Sequence, residues 1–548
     1  MVVGSLALMD PADLILTGGP VEPIIGDRAQ AVAVGGGNVL AVGSIEDVMG
    51  HRVASTEVVD LGGNTLVPGL IEPHTHPDLC GQLYSWVDVS GFTHGDVSGV
   101  ESALAAAVSR AAAGEWVYAF GLDFMLTANL GNWDRDRLDA LAPHNPVVIM
   151  IQSMHTVFAN SAALEGAGLD DATPDPGGGG VYVRDGAGRL TGRVEELPAI
   201  LPLMVHGAPG PGELEALLVE QYRRYAEVGI TTVGMAGTFL GGGDFAQYRS
   251  LAASGEVPLR LVAYMRHEEA LDTHWSPDDP DGDLFRVAGV KLWYDGSPYT
   301  GTMLLDDPYL ESDLCCCTLG IAAGSTGRPN FDPADLEELL GELNSAGWQV
   351  MTHAQGDRAC RETLDLYSRV LAGRPAGEQH RWRLEHCALI TDDDLRRAAG
   401  LGVSPSFHVD HVRWYGPELR DSIIGAERAE RLMPIRSAID HGHRPSLHAD
   451  SPMYPPGPLR LAGTAAARLT RTGESLGADQ AISVREAIRA VTIDAAWQLG
   501  IDEDVGSIEV GKRADFTVLE RNPLETPAAE LESVAVVGTW LAGSPTPA

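Results

Sequence analysis

Lysine is nearly absent from this sequence, because only Lys291 and Lys512 occur among its 548 residues and the remaining basic residues are arginine. Acidic residues outnumber basic ones 76 to 38, which gives a formal net charge of −38. A nucleic acid or an anionic membrane requires a basic face on its protein partner. The composition therefore argues against both as partners and favours a small-molecule ligand.

Cysteine is also scarce, and its distribution argues against a disulfide framework and against a zinc finger. There are six cysteines, three of which are consecutive at 315–317. Adjacent cysteines rarely build a disulfide framework, and the spacing matches no zinc-finger pattern. We therefore expect free thiols in a reducing compartment.

Long apolar runs are missing as well. No stretch approaches the roughly 18 uninterrupted apolar residues of a membrane-spanning helix. The N-terminus lacks a basic region followed by an apolar core, so we expect no signal peptide. A cytoplasmic location is the default expectation.

The two ends of the chain resemble each other in composition. Short β-rich segments separated by Gly and Asn turns occupy both ends of the sequence. We expect residues 1–66 and 505–548 to form one composite β-sandwich domain.

The middle of the chain, residues 67–504, alternates strand-like and helix-like segments, which predicts an α/β fold, a (β/α)8 TIM barrel. Residues 77–225 are too long for one connection, so we expect an inserted lobe after strand 1. The predicted barrel strands are Leu66–His76, Thr231–Gly237, Pro258–Arg266, Val287–Asp295, Trp348–Gly356, Arg381–Cys387, Gly402–His408 and Pro445–Ser451.

Metal-ligand residue types follow these strands. His74 and His76 lie two residues apart, so on a strand both imidazoles face the same side. Imidazole and carboxylate suit zinc, manganese or iron. The other candidates at predicted strand ends are Lys291, His353, His386 and Asp450. Active sites of TIM barrels lie at this end of the strands, so the pattern predicts a metal site in the barrel mouth.

Lys291 is notable because arginine could replace it in any generic charge role. A neutral lysine amine can capture CO2 and become a carbamate, a carboxylate able to bridge two metal ions. The guanidinium group of arginine stays protonated and cannot do this. A buried or surface-paired lysine is the alternative interpretation.

Several segments together resemble the amidohydrolase superfamily, in the subfamily that includes N-substituted formamide deformylases. The resemblance covers nearly the whole chain. The matching segments are Val67–His76, His155–Leu164, Val290–Ser297, His353–Ala359, Arg383–His386, Ala449–Pro452 and Gly506–Asp515. The last of these segments gives Lys512 a structural role.

This resemblance implies a binuclear metal site in which a carboxylated Lys291 bridges two divalent ions, zinc first, with manganese or iron as alternatives. One ion would be held by His74, His76 and Asp450, and the other by His353 and His386. The sequence departs from the usual pattern at Ser153, Cys387 and His448, which leaves the metal ligands intact but puts the substrate in doubt.

The implied reaction is attack of a metal-bridging hydroxide on a carbonyl carbon, with Asp450 as general base and then general acid. His155 is the candidate donor to the oxyanion, with a structural histidine as the alternative. The candidate substrate contacts are Trp86, Trp293, Tyr294, Asp295, His408 and His411.

The predicted function is hydrolysis of a C–N bond, first of a linear amide such as an N-formyl or N-acyl amine. Hydrolysis of a cyclic amide and deamination are alternatives, and a non-catalytic regulator or binding protein is a remote one. An isologous homodimer is the default oligomeric state.

Overall fold

Strands occur along the whole chain. A computed structural model describes residues 10–177, 179–240, 245–271, 273–277, 282–374 and 379–546. The strands are β1 (Leu14–Thr17), β2 (Ala31–Gly35), β3 (Asn38–Gly43), β4 (Glu57–Asp60), β5 (Thr65–Pro68), β6 (Leu70–Thr75), β7 (Val87–Asp88), β8 (Val117–Leu122), β9 (Val147–Ile151), β10 (Thr156–Ala159), β11 (Val181–Arg184), β12 (Leu190–Glu195), β13 (Ile230–Ala236), β14 (Arg260–Arg266), β15 (Phe285–Trp293), β16 (Gln349–Ala354), β17 (Arg383–His386), β18 (Ser404–Phe407), β19 (Ser446–Leu447), β20 (Phe516–Leu519), β21 (Val536–Leu541) and β22 (Ser544–Pro545).

Helices separate most of these strands and begin at recognisable caps. Asp332 caps α10 ahead of a proline at its first turn, and Ser483 forms a capping box with Glu486 in α17. The helices are α1 (Ile45–Met49), α2 (Pro77–Leu83), α3 (Val97–Arg110), α4 (Arg135–Leu141), α5 (Ser161–Gly166), α6 (Leu197–Met204), α7 (Pro211–Glu227), α8 (Ala246–Ala253), α9 (His267–Ala270), α10 (Pro333–Ser345), α11 (Asp357–Val370), α12 (Asp392–Leu401), α13 (Asp410–Glu418), α14 (Ala426–Ala429), α15 (Ile435–Asp440), α16 (Pro458–Ala467), α17 (Val484–Ala490) and α18 (Ile493–Leu499). Among the described residues, none of these helices combines the length and apolar composition needed to cross a bilayer.

A parallel sheet of eight strands, in the order β19-β18-β17-β16-β15-β14-β13-β6, forms a nearly closed barrel. Every residue of β6 and of β13 is buried, as is typical of parallel strands covered on both faces. At the open edge, the backbone N–H of Ala449 donates to the carboxylate of Glu72, which links the segment after β19 to β6. The predicted barrel is confirmed.

The first predicted barrel strand, Leu66–His76, is two strands in the structure. Residues Thr65–Pro68 form β5, which pairs with β20 in a different sheet, and only Leu70–Thr75 join the barrel. Gly69 separates them, and a Cβ there would meet the Thr231 hydroxyl oxygen at 1.9 Å. The Pro68-Gly69 pair inside this apolar run is a turn signal that marks the change of sheet, and the predicted strand ran through it.

Two four-stranded sheets contain the ends of the chain. One has the order β3-β2-β1-β4, and the other, β22-β21-β20-β5, joins C-terminal strands to a strand before the barrel. Leu16, Leu66 and Phe516 belong to one buried hydrophobic cluster. Lys512 donates to the Asp502 carbonyl and to the Ser507 hydroxyl, each at 2.6 Å, so the second lysine is tied to its surroundings.

The chain divides into two compact units, of which the first contains the barrel and the terminal sheets. The second consists of Asp78–Leu218 and Ser312–Ala322. Its six-stranded sheet has the order β11-β12-β10-β9-β8-β7. Residues 312–322, which follow β15 in the chain, belong to this second unit.

Candidate metal centre

The ends of β6 and β19 bring three candidate ligands together. His74 lies near the end of β6, His76 follows it, and Asp450 lies three residues beyond β19. The Asp450 Oδ1 atom is 3.3 Å from His74 Nε2 and 3.2 Å from His76 Nε2. These three residues therefore form a group whose ligand atoms could share one ion.

A buried carboxylate orients His74. The Nδ1 atom of His74 lies 2.6 Å from Glu385 Oε2, and Arg383 donates to the same carboxylate through Nε at 2.7 Å and Nη2 at 3.0 Å. Burial alone would raise the pKa of Glu385, but Arg383 and His74 outweigh it and hold that pKa at about 2. Since the carboxylate only accepts, His74 donates from Nδ1 and keeps the Nε2 lone pair for an ion.

Lys291 lies on β15 next to these groups and is fully buried. Its Nζ is 3.0 Å from His74 Nε2. Burial lowers the pKa of Lys291 to about 8, although the carboxylates of Glu385 and Asp450 oppose this. A lowered pKa increases the share of neutral amine near pH 7, and the neutral amine is the form that can capture CO2.

His386, at the end of β17, has a φ of 73°, in the left-handed region that non-glycine residues rarely adopt. Successive residues of a regular strand point to opposite faces, so Glu385 and His386 would not both face the cluster. The positive φ of His386 changes the direction of its side chain, and both residues therefore reach the cluster. Its Nδ1 lies 3.2 Å from His448 Nε2, while its Nε2 has no hydrogen-bond partner among the described residues.

His353, in β16, packs its ring against that of His386, with centroids 4.2 Å apart. Its Nε2 lies 3.3 Å from the Gly296 carbonyl oxygen, which leaves Nδ1 as the nitrogen available to an ion. Burial lowers the pKa of His353 to about 3, and Lys291 adds to this effect, so the ring is neutral at pH 7.

The arrangement fits a cation because several buried acceptor atoms have no donor of their own. Within the described ranges, His386 Nε2, His408 Nδ1 and Asp450 Oδ1 are buried atoms without a hydrogen-bond partner. Burial alone would raise the pKa of Asp450, but His74 and other imidazoles hold it well below its ordinary value. An ionised carboxylate beside imidazole nitrogens is a donor set that suits a divalent ion such as zinc.

Other predicted contacts have partners within the fold. Asp295 accepts backbone N–H groups from Leu304, Gln355 and Gly356 at 2.9–3.0 Å, and burial raises its pKa to about 7. The Tyr294 side chain is fully buried and its hydroxyl donates to a carboxylate of α11. Both side chains therefore form hydrogen bonds within the fold. Their role as substrate contacts remains a prediction.

Aromatic side chains lie beside His76. Phe239, which the sequence analysis missed, keeps 44% of its surface exposed, and its ring centroid is 5.3 Å from that of His76. Trp293, a predicted contact, lies 5.8 Å from Phe239. Phe239 follows β13 outside any motif, and its position three residues past the strand was the only signal available.

Two predicted site residues belong to the second compact unit. The Trp86 ring packs on Tyr118, with centroids 4.8 Å apart. His155 Nδ1 lies 3.1 Å from Glu196 Oε2, and 44% of the His155 side chain is exposed. The assignment of His155 as an oxyanion donor remains a prediction.

The chain is similar to amidohydrolases in sequence and to a metal-dependent hydrolase in structure. The model of the amidohydrolase family matches residues 57–547. The chain is 29% identical to N-substituted formamide deformylase of Arthrobacter pascens over 94% of both chains, and 26% identical to putative amidohydrolase YtcJ of Bacillus subtilis over 94% and 96% of the two. An uncharacterized metal-dependent hydrolase from Pyrococcus horikoshii OT3 has a similar structure, with a TM-score of 0.74, 22% identity and coverage of 94% of this chain and 99% of that one.

Proposed function

The chain belongs to the amidohydrolase family and is a hydrolase of C–N bonds other than peptide bonds, and from that premise we propose that it hydrolyses a linear amide in a metal-dependent reaction. The observation that supports this most directly is that buried acceptor atoms of His386, His408 and Asp450 have no hydrogen-bond partner among the described residues, in groups that suit divalent ions. The N-formyl or N-acyl amine is the proposed substrate class because the deformylase relative aligns over 94% of each chain.

The proposed ligands divide between two ions. His74, His76 and Asp450 would hold one, His353 and His386 the other, and a CO2-derived carbamate on Lys291 would bridge them. Two divalent cations would lower the pKa of a shared water towards about 7 and polarise the substrate carbonyl. The ion is proposed as zinc, with manganese or iron as alternatives.

Asp450 is the proposed proton carrier. It keeps 18% of its side chain exposed, whereas the side chains of His74 and His386 are almost fully buried, so it is the group that a substrate can approach. Its depressed pKa means that it enters the reaction ionised, able to accept a proton from the attacking water. It then delivers that proton to the leaving nitrogen as general acid.

Phe239 and Trp293 are proposed to form an apolar wall for one side of the substrate. They are aromatic, adjacent to each other and next to His76. An apolar surface beside a set of polar groups is the usual composition of a small-molecule site.

The domain organisation is proposed in the same way. Residues 1–66 and 505–548 form a composite β-sandwich, which the shared hydrophobic cluster of the two ends supports. The inserted lobe of residues 77–225 determines specificity. The compact unit that contains Asp78–Leu218 supports a separate lobe.

The test combines metal analysis with a substrate panel. Protein purified without chelator, then supplied with zinc and bicarbonate, is expected to hold about two ions per chain by elemental mass spectrometry. A panel of N-formyl amines, N-acyl amines, cyclic amides and amidines is then assayed for products by mass spectrometry, with Asp450→Asn as the control variant.

Release of an amine and a carboxylic acid from linear amides, lost in Asp450→Asn, supports the proposal. Ammonia from amidines or ring opening of cyclic amides with no turnover of linear amides would refute the proposed substrate class. Full turnover in protein that holds no metal would refute the mechanism.

A further inference from the structure

His408 directs a bare ring nitrogen toward the metal centre. It follows directly after β18 and is 1% exposed. Its Nε2 lies 2.9 Å from the carbonyl oxygen of Ala449, which only accepts, so Nε2 carries the proton and donates. In a neutral imidazole the Nδ1 atom is then an unprotonated acceptor.

This Nδ1 atom has no hydrogen-bond partner in the part of the chain that the structure describes. Asp450 Oδ2 lies 4.0 Å from this nitrogen, and His386 Nδ1 lies 3.9 Å from the same oxygen. The ligand atoms of His386, His408 and Asp450 all lie within 4.8 Å of one another. A buried acceptor such as His408 Nδ1 is costly unless a donor or a cation pairs with it.

His411 provides a natural comparison. Its ring lies 4.3 Å from that of His408 and is also 1% exposed. Both of its nitrogens are engaged, because Nδ1 lies 2.5 Å from the Tyr454 hydroxyl and Nε2 lies 3.2 Å from Gln355 Oε1. Burial therefore does not by itself leave a nitrogen unpaired in this region, and His408 differs from its neighbour in that respect.

We infer that His408 is a further metal ligand, which binds through Nδ1 and forms with His386 and Asp450 a position for a divalent cation such as zinc. The inference rests on the proposed metal dependence, and it adds to the six-residue ligand set a seventh residue from the end of β18. Two imidazoles and a carboxylate suit zinc, cobalt and ferrous iron.

The test is metal affinity in His408→Gln, because the glutamine amide can still donate to the Ala449 carbonyl while the Nδ1 lone pair is lost. Metal-free protein is titrated with Co2+ and Zn2+ in bicarbonate buffer against a chromophoric chelator, and the visible absorption of bound Co2+ is recorded. We expect one of the two ions to bind about 100-fold more weakly and the Co2+ spectrum to change. His411→Gln is the matched control and is expected to keep both affinities.

Equal unfolding midpoints of the metal-free variants and the metal-free wild type would show that His408→Gln folds. Affinities and a Co2+ spectrum identical to those of the wild type would overturn the inference while leaving the proposed hydrolysis intact. A wild type that binds no ion would overturn both. Two tightly bound ions without amide turnover would refute only the substrate proposal, and the titration of His408→Gln would still decide the ligand question.

Discussion

Lys291 is the residue at which the binuclear assignment can be tested most directly. It is fully buried, lies 3.0 Å from His74 and has few chemical substitutes, because arginine cannot form a carbamate. We expect Lys291→Arg and Lys291→Ala to hold at most one ion per chain by elemental mass spectrometry. Activity should fall by about three orders of magnitude, since bound ions contribute several kcal/mol to catalysis.

Lys512→Arg is the control for this prediction, because Lys512 interacts with groups outside the metal centre and should tolerate another cation. If Lys291→Arg kept two ions and full activity, the lysine would be structural only.

A separate prediction concerns Glu385, which orients the His74 ring. It accepts from His74 and from Arg383, all with fully buried side chains. Glu385→Gln should weaken metal binding by about 10- to 100-fold, because the His74 ring loses its charged acceptor. It should also lower the free energy of unfolding by about 3–5 kcal/mol, because Arg383 is left as an uncompensated buried charge.

The double variant Arg383→Met/Glu385→Gln separates these two effects. Removal of the buried cation should restore much of the stability in a urea titration, while metal affinity stays low. If the double variant recovered both stability and metal affinity, Glu385 would act through the stability of the fold alone and would not orient His74.

At the scale of elements, the close contact between β6 and β13 supports the metal ligands of β6. A Cβ at Gly234 in β13 would lie 2.3 Å from the carbonyl oxygen of Pro73, the residue before His74. Gly234→Ala should therefore destabilise the protein by about 1–3 kcal/mol and reduce metal content, because the strand that carries His74 must move.

Gly341→Ala is the comparison for this variant. Gly341 lies inside α10, where an added Cβ meets nothing within 4 Å. We expect a gain of about 0.5–1 kcal/mol in a urea titration, because alanine favours the helix. If the Gly234 variant gained stability in the same way, the predicted clash would be absent.

The elements also show what the sequence could and could not reveal. Buried apolar runs followed by His, Lys or Asp predicted the barrel strands and brought the ligand candidates to one end of the sheet. The partner of Glu385, His74, lies 311 residues away, and no periodicity reveals such a pair. His386 was predicted by motif, but the positive φ that turns it toward the cluster depends on tertiary packing.

At the scale of the whole molecule, metal binding should be coupled to the stability of one compact unit. Ions that bind only the folded state stabilise it by about 4 kcal/mol at a free concentration 1,000 times the Kd. We expect a chelator to lower the unfolding temperature and zinc with bicarbonate to restore it. When the chelator removes the ions, the rate of amide hydrogen exchange should rise at residues 72–76, 289–293, 383–387 and 446–450.

The second compact unit serves as the internal control for this experiment. Its described elements contain none of the six predicted metal ligands, so exchange at residues 97–166 should not respond to the chelator. Loss of protection of equal size in both units would mean that the ions stabilise the chain as one cooperative body.

The scarcity of lysine has a spectroscopic consequence. Lys291 is fully buried, and the Lys512 side chain is 12% exposed with its amine held by three oxygen atoms. Lys291 and Lys512 are thus the only two side chains of the sequence that carry a primary amine. After incubation with 13C-labelled bicarbonate, a carbamate on Lys291 would produce one slowly exchanging carbon resonance on an almost silent background, distinguishable from that of the N-terminal amine. The scarcity of lysine therefore makes the labelling selective without any substitution in the protein.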